Sequence, residues 1–419
     1  MELSRKHIPA LSLAVALLAL YGAWWIVGSP EEPSQRNEPL VVRSPASPPR
    51  ERTIRVGVTS DPDKSVALEI SEPFKLVVVG SSRALLEGPR LAACTVTTIP
   101  GGLRIGKKDI AATRVEIVPT RSPAVWVDGH QYRGNMRLIR QGDGTILAVN
   151  FLPFDEYLAS VVDSEMPASF PDEARKAQAI VARTYALYQM SQSRAALVDL
   201  YASTRSQKYL GFKYRSSDGK LLAGESAASR RIVDSTRNQV CTYGGKLFCT
   251  YYCAVCGGGT VTGSEVFSDA APPLRSVPCN WCKAARLYRW TAEISKRDLQ
   301  ADLKPLLRQD GRDAGALRAV SLVRSKQPGA LPEFDLRGER QTVRVDGADL
   351  RSALGKRGLY SPRFTIEDRG QSYWISGRGH GHGVGLCQWG ARGQALAGKT
   401  CSQILQHYYV GSKITTWKE

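Results

Sequence analysis

The chain has 419 residues, which exceeds one ordinary domain but also suits a single elaborated fold. Its hydrophobic content of 42% provides ample material for a core. Its 57 lysine and arginine residues against 39 aspartate and glutamate residues give a net charge of +18, which favours anionic partners. Nucleic acid is not an expected partner, because the chain shows no recognition helix and no aromatic-basic RNA motif. Anionic cell-wall polymer and lipid head groups fit the charge better, and a basic surface without a specific partner is the alternative.

The N-terminal residues predict a membrane segment. Residues 1–7 carry Arg5 and Lys6, and residues 8–27 form an uncharged apolar run long enough to span a bilayer. We expect residues 1–7 to stay in the cytoplasm, residues 8–27 to anchor the chain in the membrane, and the remainder to lie outside the cytoplasm in the cell envelope. A signal peptide cleaved near Ala23, which would secrete the remainder, is the alternative.

A change of amino-acid composition marks the predicted start of the folded part. Residues 28–52 are rich in proline, serine and glutamate, which predicts a disordered linker. From Thr53 the chain turns to short β-branched runs such as TIRVGV, FKLVVV and TRVEIV, broken by glycine, proline and aspartate. MRLIRQ and ILAVNFL flank a turn at residues 142–144 and predict a β-hairpin. Residues 53–419 are therefore expected to hold the functional domain.

Two helical patterns follow between Asp155 and Tyr188, joined by a short turn that carries Glu165. In the first pattern, apolar residues recur at helical spacing up to Met166, which places Glu165 near the helix C-terminus. The second begins at Pro171, and its small apolar stripe predicts a central helix. A carboxyl group at a helix C-terminus among apolar neighbours is expected to have a raised pKa, as a general acid requires. A solvated helix-end residue is the alternative interpretation.

The second half of the chain mixes strands and helices. Residues 200–290 return to short strands and glycine-rich turns, and residues 296–308 and 348–355 predict surface helices. Taken together, the elements predict an α+β fold. It would be β-rich, with a central helical pair that carries Glu165 and a small inserted or appended β module.

The cysteine-rich region at residues 241–282 predicts either a metal site or disulfides. Cys253 and Cys256 form one CxxC pair, and Cys279 and Cys282 form a second one further along the chain. Four thiolates at this spacing favour structural zinc, as in a zinc knuckle or ribbon. Disulfides are the competing outcome outside the cytoplasm, and a redox-active CxxC is a third interpretation.

A glycine-rich loop near the C-terminus, GRGHGHGVG, places Arg378, His380 and His382 between glycines. Glycine at this density lets the backbone approach a ligand closely. If the stretch is extended, the two imidazoles point the same way, so a metal-ligand pair and a substrate-binding loop both remain open. Gln388 and Trp389 follow, and Trp389 suits either stacking on a sugar ring or burial in the core.

The helical pair and the loop together carry a family resemblance. SEMPASFPDEARKAQAIVARTYA is similar to the EMP turn and the KAQA-ARTYA helix of the stage II sporulation protein D / amidase-enhancer family. The segments YRGNMRLI, VNFLPFDEYL, SQKYLG, CGGGT, YSPRF and GRGHGHGVGLCQWGA resemble the family's other landmarks, in the same order, over residues 53–419. His380 departs from the pattern, since the family often has tryptophan there.

The resemblance implies a peptidoglycan lytic transglycosylase in which Glu165 is the single general acid and base, with no cofactor required for the chemistry. It also implies peptidoglycan glycan strands, and a wall amidase or other wall-remodelling protein, as partners. Further residues are candidates for lining the glycan cleft, although packing explains those on the second helix equally well. These candidates are Arg183, Tyr185, Arg378, His380, His382, Gln388 and Trp389.

Two other functions are open from the sequence. In the first, the chain is a non-catalytic enhancer of a wall amidase, and the same motifs shape a glycan-binding groove. In the second, it is a metal-dependent wall hydrolase with His380, His382 and Glu165 on zinc. Metal that depends on the histidines would favour the hydrolase, whereas metal that depends on the cysteines would be structural.

Overall fold

The computed structural model describes residues 52–59, 64–193, 196–203, 205–308, 313–323 and 329–418. The predicted membrane segment and almost all of the predicted linker therefore lie outside the described residues. Within the ranges that are described, no helix is both long and apolar enough to cross a membrane.

Short strands dominate the region before the helical pair. In β2, Val66, Leu68 and Ile70 are buried and the residues between them are more exposed, which is the period of two expected of a half-buried strand. The strands are β1 Thr53–Gly57, β2 Ser65–Ile70, β3 Phe74–Val78, β4 Ala84–Gly88, β5 Leu91–Ile99, β6 Gly102–Ile105, β7 Lys108–Ile110, β8 Arg114–Pro119, β9 Val125–Val127, β10 His130–Tyr132, β11 Asn135–Arg140 and β12 Ile146–Pro153.

Two helices and a set of shorter elements continue the chain. The predicted hairpin before them is confirmed, because β11 and β12 are antiparallel neighbours with Arg140 opposite Ile146. The elements that follow are α1 Phe154–Glu165, α2 Asp172–Gln192, β13 Leu200–Tyr201, β14 Lys213–Arg215, β15 Leu221–Ala223, α3 Ala227–Ser235, β16 Gln239–Tyr243, β17 Lys246–Leu247 and β18 Tyr252–Cys253.

Two large sheets share one apolar core with the helices. The seven-stranded sheet has the order β13-β1-β12-β11-β8-β3-β4, and the eight-stranded sheet has the order β15-β14-β10-β9-β2-β5-β6-β7. Ile54 from the first sheet, Leu68 from the second and Val161 from α1 belong to the same buried cluster. The sheets therefore form a platform against which α1 is packed.

The second helix of the pair is the most deeply buried long element. Side chains from Ala174 to Leu187 are buried on nearly every face of α2, as its small apolar residues predict. Pro171 precedes the first helical residue, Asp172, and the preceding helix α1 ends at Glu165. Glu165 is thus the last residue of α1, next to the turn that leads into the buried helix α2.

An inserted module with its own core occupies residues 290–377. It contains two three-stranded sheets, β19-β24-β23 and β20-β21-β22, whose apolar cluster includes Phe334, Leu350 and Ile375. The two predicted surface helices are confirmed as α4 and α5. The elements are β19 Trp290–Ser295, α4 Lys296–Leu303, β20 Leu317–Val323, β21 Glu333–Gly338, β22 Thr342–Asp346, α5 Gly347–Leu354, β23 Phe364–Asp368 and β24 Ser372–Gly377.

The last elements return to the core. They are β25 Leu386–Cys387, α6 Gln388–Leu396, α7 Cys401–Tyr408 and β26 Lys413–Thr416. β26 joins β16 in a sheet of order β17-β16-β26, and β25 pairs in parallel with β18. The predicted α+β, β-rich fold is confirmed, and its C-terminal segment is folded directly against α2.

Candidate active site

Glu165 is held by donors that come from two distant parts of the chain. The backbone N–H of Lys208 donates to Oε1 at 2.9 Å, and the side-chain amide of Gln388 donates to Oε2 at 3.1 Å. Glu165 is partly exposed, so substrate has access to the carboxylate. Both oxygens are thus oriented by neutral groups.

A chain of hydrogen bonds runs from this site into the core. Gln207 Nε2 donates to the hydroxyl of Tyr252 at 3.2 Å, and the buried Tyr157 hydroxyl donates to Gln207 Oε1 at 3.0 Å. Burial, followed by the nearby Glu165 carboxylate, raises the pKa of Tyr252 well above its ordinary value. Tyr252 therefore stays neutral beside Glu165 and keeps its hydroxyl proton.

Gln388 is itself positioned by the buried helix α2. Its Nε2 atom lies 3.5 Å from Oε1 of Gln178, which is fully buried. Gln388 is also the first residue of α6, directly after the N-cap Cys387, whose sulfur accepts a hydrogen bond from Gly390 N at 3.3 Å. The amide that holds Glu165 is therefore fixed by two elements of the core.

Several of these residues were not singled out from the sequence. Gln178 lies within the KAQA motif and Gln207 and Lys208 lie within SQKYLG, so the family landmarks carried a signal for them. Tyr252, which directly precedes the first CxxC pair, carried no signal of its own. Only the fold shows that these segments meet at Glu165.

The glycine-histidine loop is not extended. Gly379, Gly381 and Gly383 have φ values of 91°, 99° and 83°, in the left-handed region that favours glycine. A side chain at Gly379 would place its Cβ 2.5 Å from the Val255 carbonyl oxygen, so the loop approaches the segment that follows β18 too closely for any other residue. The condition under which the two imidazoles would point the same way is therefore not met.

The two histidines have different surroundings. His382 is partly buried against the ring edges of Tyr251 and Phe267, and its Nδ1 accepts a hydrogen bond from Val384 N at 3.1 Å. Burial, with a smaller contribution from Arg351, lowers the pKa of His382 to about 4, so its ring is neutral near pH 7. His382 is therefore a packed, neutral residue of the loop.

His380 lies on the exposed side of the loop. Its ring packs edge-on against Tyr360 of the inserted module, with 5.7 Å between ring centroids. Burial, followed by the charge of Arg351, lowers the pKa of His380 as well. Among the residues that the structure describes, clustered metal-ligating groups involve cysteines rather than these histidines, which does not favour the hydrolase interpretation.

The remaining predicted substrate residues fall into two groups. Arg183 is buried and donates to the carbonyl oxygens of Val233 and Gln239, so it joins α2 to α3 and β16. Tyr185 is buried in the core. Arg378 is exposed, and Trp389 is partly exposed with its ring edge-on to Phe170 at 5.4 Å. Arg378 and Trp389 are therefore accessible to a ligand, whereas Arg183 and Tyr185 serve packing.

Four buried cysteines converge below the loop. The sulfur atoms of Cys256, Cys279, Cys282 and Cys387 lie within 4.8 Å of one another. Cys387 takes the place predicted for Cys253, which lies opposite Cys387 in the β18–β25 pair but outside this group. The CxxC spacing could not reveal this exchange, because Cys387 reaches the group only through the pairing of strands distant in sequence.

The cysteine group suits a tetrahedral metal ion. Cys256 and Cys282 have their sulfurs 3.7 Å apart, close to the roughly 3.8 Å expected between thiolates on one tetrahedral zinc. The Cys387 sulfur accepts a hydrogen bond from Cys256 N at 3.2 Å, the kind of outer contact that orients thiolate ligands. All nine cysteines lie within the described residues, and each is a free thiol.

Comparison with known proteins agrees with the family resemblance of the sequence motifs. A family described as Stage II sporulation protein matches residues 142–243, and a domain of unknown function matches residues 280–385. Stage II sporulation protein D of Bacillus subtilis is 30% identical over 64% of this chain and 76% of its own length. The chain belongs to the stage II sporulation protein D family.

Two further relatives extend the match along the chain. An uncharacterized protein of Brachyspira hyodysenteriae is 30% identical over 87% of this chain and 93% of its own length. The amidase enhancer of Bacillus subtilis is 25% identical over 86% of this chain and 54% of its own length. These relationships within the stage II sporulation protein D family indicate a function connected with the cell wall and a location in the cell envelope.

Proposed function

We propose that this protein cleaves the glycan strands of peptidoglycan as a lytic transglycosylase, with Glu165 as its single acid and base. The observation that carries the proposal is the neutral donor set around Glu165, formed by the Lys208 N–H and the Gln388 amide. Such donors orient a carboxylate without committing it to an ion pair. The group can then both deliver and accept a proton.

The reaction exchanges one bond and moves one proton. Glu165 protonates the glycosidic oxygen between N-acetylmuramic acid and N-acetylglucosamine, and the bond from that oxygen to C1 of the muramic acid breaks. The C6 hydroxyl of the same sugar then bonds to C1, and the Glu165 carboxylate takes the hydroxyl proton. The products are a 1,6-anhydromuramoyl end and an N-acetylglucosamine with a free hydroxyl group.

A single carboxylate is sufficient because no water molecule enters this reaction. Ordinary glycosidases need two carboxylates, one of which activates water or attacks the sugar. The nearest other acid on α1, Asp163, forms an ion pair with the buried Arg175 and is therefore already engaged. This arrangement supports a one-acid mechanism over hydrolysis.

The test is mass spectrometry of the products released from peptidoglycan by the purified full-length protein. We expect anhydromuramoyl ends, and we expect Glu165→Gln to lower their yield by roughly a hundredfold or more, the usual scale for a general acid. Asp172→Asn, which removes an exposed carboxylate from the first turn of α2, is the matched control. Reducing ends in place of anhydro ends would show hydrolysis and overturn the proposal.

The second candidate function is that of an accessory protein that stimulates a wall amidase. The relative that favours it is the amidase enhancer of Bacillus subtilis, which matches most of this chain. The same experiment separates the two functions. Glycan binding without any released product, together with faster product release by an added amidase, would support the accessory role.

We also propose that Cys256, Cys279, Cys282 and Cys387 hold a structural zinc ion. Four thiolates form the closed ligand shell typical of structural zinc, and the ion would tie together the β18 loop, the turn at residues 279–282 and the start of α6. No proton transfer on the substrate depends on this ion. Its contribution would be to fix the backbone next to Gln388.

For the N-terminal segment we propose an uncleaved anchor at residues 8–27, which would hold residues 53–419 in the envelope beside the glycan. Mass measurement of the protein recovered from membranes tests this directly. An intact N-terminus would support the anchor, and a new N-terminus near Ala23 would show a cleaved signal peptide instead.

A further inference from the structure

The inserted module is joined to the glycine-histidine loop by a short segment of its own. Tyr360 accepts a hydrogen bond at its carbonyl oxygen from Gly381 N at 2.9 Å, and Ser361 Oγ donates to the Arg378 carbonyl oxygen at 2.7 Å. Arg363 donates to the carbonyl oxygen of Gly259 at 2.6 Å. The module therefore presents this segment at a fixed position next to the loop.

Arg351 on α5 stands at this junction. Its Nε atom donates to the Tyr360 carbonyl oxygen at 3.3 Å, the same oxygen that holds Gly381. Within the described part of the chain, no aspartate or glutamate forms an ion pair with Arg351. The guanidinium is partly buried, and burial lowers its pKa, so the charge is incompletely solvated as well as unpaired.

The other partly or fully exposed arginines of the module provide a contrast. Most of them have a carboxylate partner on the module surface. Arg363, which is also partly buried, instead donates to the carbonyl oxygens of Cys256 and Gly259. The pairs are Arg308–Asp313, Arg318–Glu339, Arg340–Asp313, Arg344–Asp335, Arg357–Asp302 and Arg369–Glu367.

Arg351 is connected to the site of Glu165 through consecutive neighbours. The Tyr360 carbonyl oxygen joins Arg351 to Gly381 of the loop, and His380 pairs with Val255 through two backbone hydrogen bonds of 2.7 and 3.1 Å. The backbone N–H of Trp389 donates to the Ala254 carbonyl oxygen at 3.1 Å, and the preceding residue, Gln388, donates to Glu165. Arg351 and Glu165 therefore belong to one connected set of contacts.

We propose that Arg351 binds a carboxylate of the glycan substrate, so that the inserted module acts as a substrate-recognition element of the cleft. With Nε engaged by Tyr360, the two terminal nitrogens of the guanidinium are left to form the paired hydrogen bonds that suit a carboxylate. The exposed ring of Tyr360 and the ring of His380 beside it offer surfaces for the sugar that carries the group. This inference rests on the proposed function, because it assumes a peptidoglycan strand as ligand.

Two sources of the carboxylate have the same chemistry. Muramic acid has a free lactyl carboxylate wherever its peptide has been removed, and a retained stem peptide supplies carboxylates of its own. The experiment compares three soluble glycans: one freed of peptide, the same glycan with its lactyl carboxylates converted to amides, and one with peptides intact. Binding is measured in the Glu165→Gln background, so that no ligand is consumed.

We expect Arg351→Gln to weaken binding of the peptide-free glycan at least tenfold and to leave binding of the amidated glycan unchanged. Arg351→Lys, which keeps the charge but not the forked donors, should give an intermediate loss. The matched control is Arg337→Gln, which removes the same charge from an exposed arginine on β21 of the module, and it should bind as the parent does.

Some outcomes identify which carboxylate Arg351 binds, and others show that Arg351 binds none. Dependence on Arg351 only with peptide-bearing glycan would assign the carboxylate to the peptide and still support recognition by Arg351. Equal weakening for all three glycans, or none, would overturn the inference, provided that the variant unfolds at the parent's temperature. Because binding is measured without cleavage, absence of anhydro products from the wild-type protein would count against the proposed function alone.

Discussion

The core around α2 and the inserted module differ in how deeply their ion pairs are buried. Beside α2 one ion pair is buried: Arg175 is 1% exposed and pairs with Asp163 in the last turn of α1, the helix that carries Glu165. In the module, pairs such as Arg344–Asp335 lie at the surface over a separate apolar cluster. We therefore expect the loss of a charged partner to cost more stability beside α2 than on the module surface. Arg351, for which we propose a role in substrate binding, differs from these surface pairs.

The largest expected effect concerns the metal ion proposed for the four clustered cysteines, all of which lie outside the module. Cys387→Ser should remove the bound zinc and lower the free energy of unfolding by roughly 5 kcal/mol or more, because zinc held by four thiolates contributes on the order of 10 kcal/mol in small zinc domains. Elemental analysis and urea unfolding measure both quantities. Cys253→Ser is the matched control and should keep one metal ion per chain. Loss of metal from Cys253→Ser alone would contradict the assignment.

The buried ion pair of the core should come next. Arg175→Met leaves the Asp163 carboxylate partly buried without its partner, which should cost about 3–5 kcal/mol in the free energy of unfolding. Arg344→Met removes an exposed pair of the module and should change stability little. Urea unfolding of both variants compares the regions directly, and similar losses would refute the difference between them.

The pH dependence of stability should reveal the buried histidine of the loop. Burial holds the pKa of His382 at about 4, below the value near 6.5 expected in the unfolded chain. Its contribution to stability is therefore full above pH 6.5 and declines as the pH falls toward 4, by at most roughly 3 kcal/mol. In His382→Asn, which retains an acceptor for Val384 N, unfolding measured between pH 7 and 4 should show a shallower decline. Identical slopes would rule out this source of pH dependence.

The smallest effect should come from the amide that orients the acid. Gln388→Leu removes the side-chain amide that donates to Glu165, and we expect kcat to fall about tenfold, equivalent to roughly 1.4 kcal/mol, with glycan binding nearly unchanged. Gln371→Leu, at an exposed position of the module, is the control for a lost amide. A loss of binding equal to the loss of rate would mean that Gln388 contacts the substrate instead.

Local signals in the sequence predicted the elements but not their meeting points. The helix that ends at Glu165, the buried character of α2 and the β11–β12 hairpin all follow from spacing within a few residues. The contact of Gln388 with Glu165 joins positions that no periodicity relates. Gln388 was a candidate only because it belongs to a motif that resembles the family's closing segment.

The metal and loop predictions show the same limit. Two CxxC pairs predicted three of the four clustered cysteines, and the fourth, Cys387, was hidden because strand pairing brings it in. The two histidines were expected to share a direction, but three glycines with positive φ turn the loop between them. Arg351 had no sequence signal, since one arginine on a surface helix looks like any other.

The pairing of β19 with β24 bears on how such a chain can change over evolution. Trp290 and Gly377, the first and last residues of the module, are direct partners, so the segment between them begins and ends at nearly one point. Domains whose termini lie close together can be gained or lost with little disturbance to their host. Replacement of residues 290–377 by a tight turn should thus leave a foldable core. The module and the core can therefore change independently during evolution.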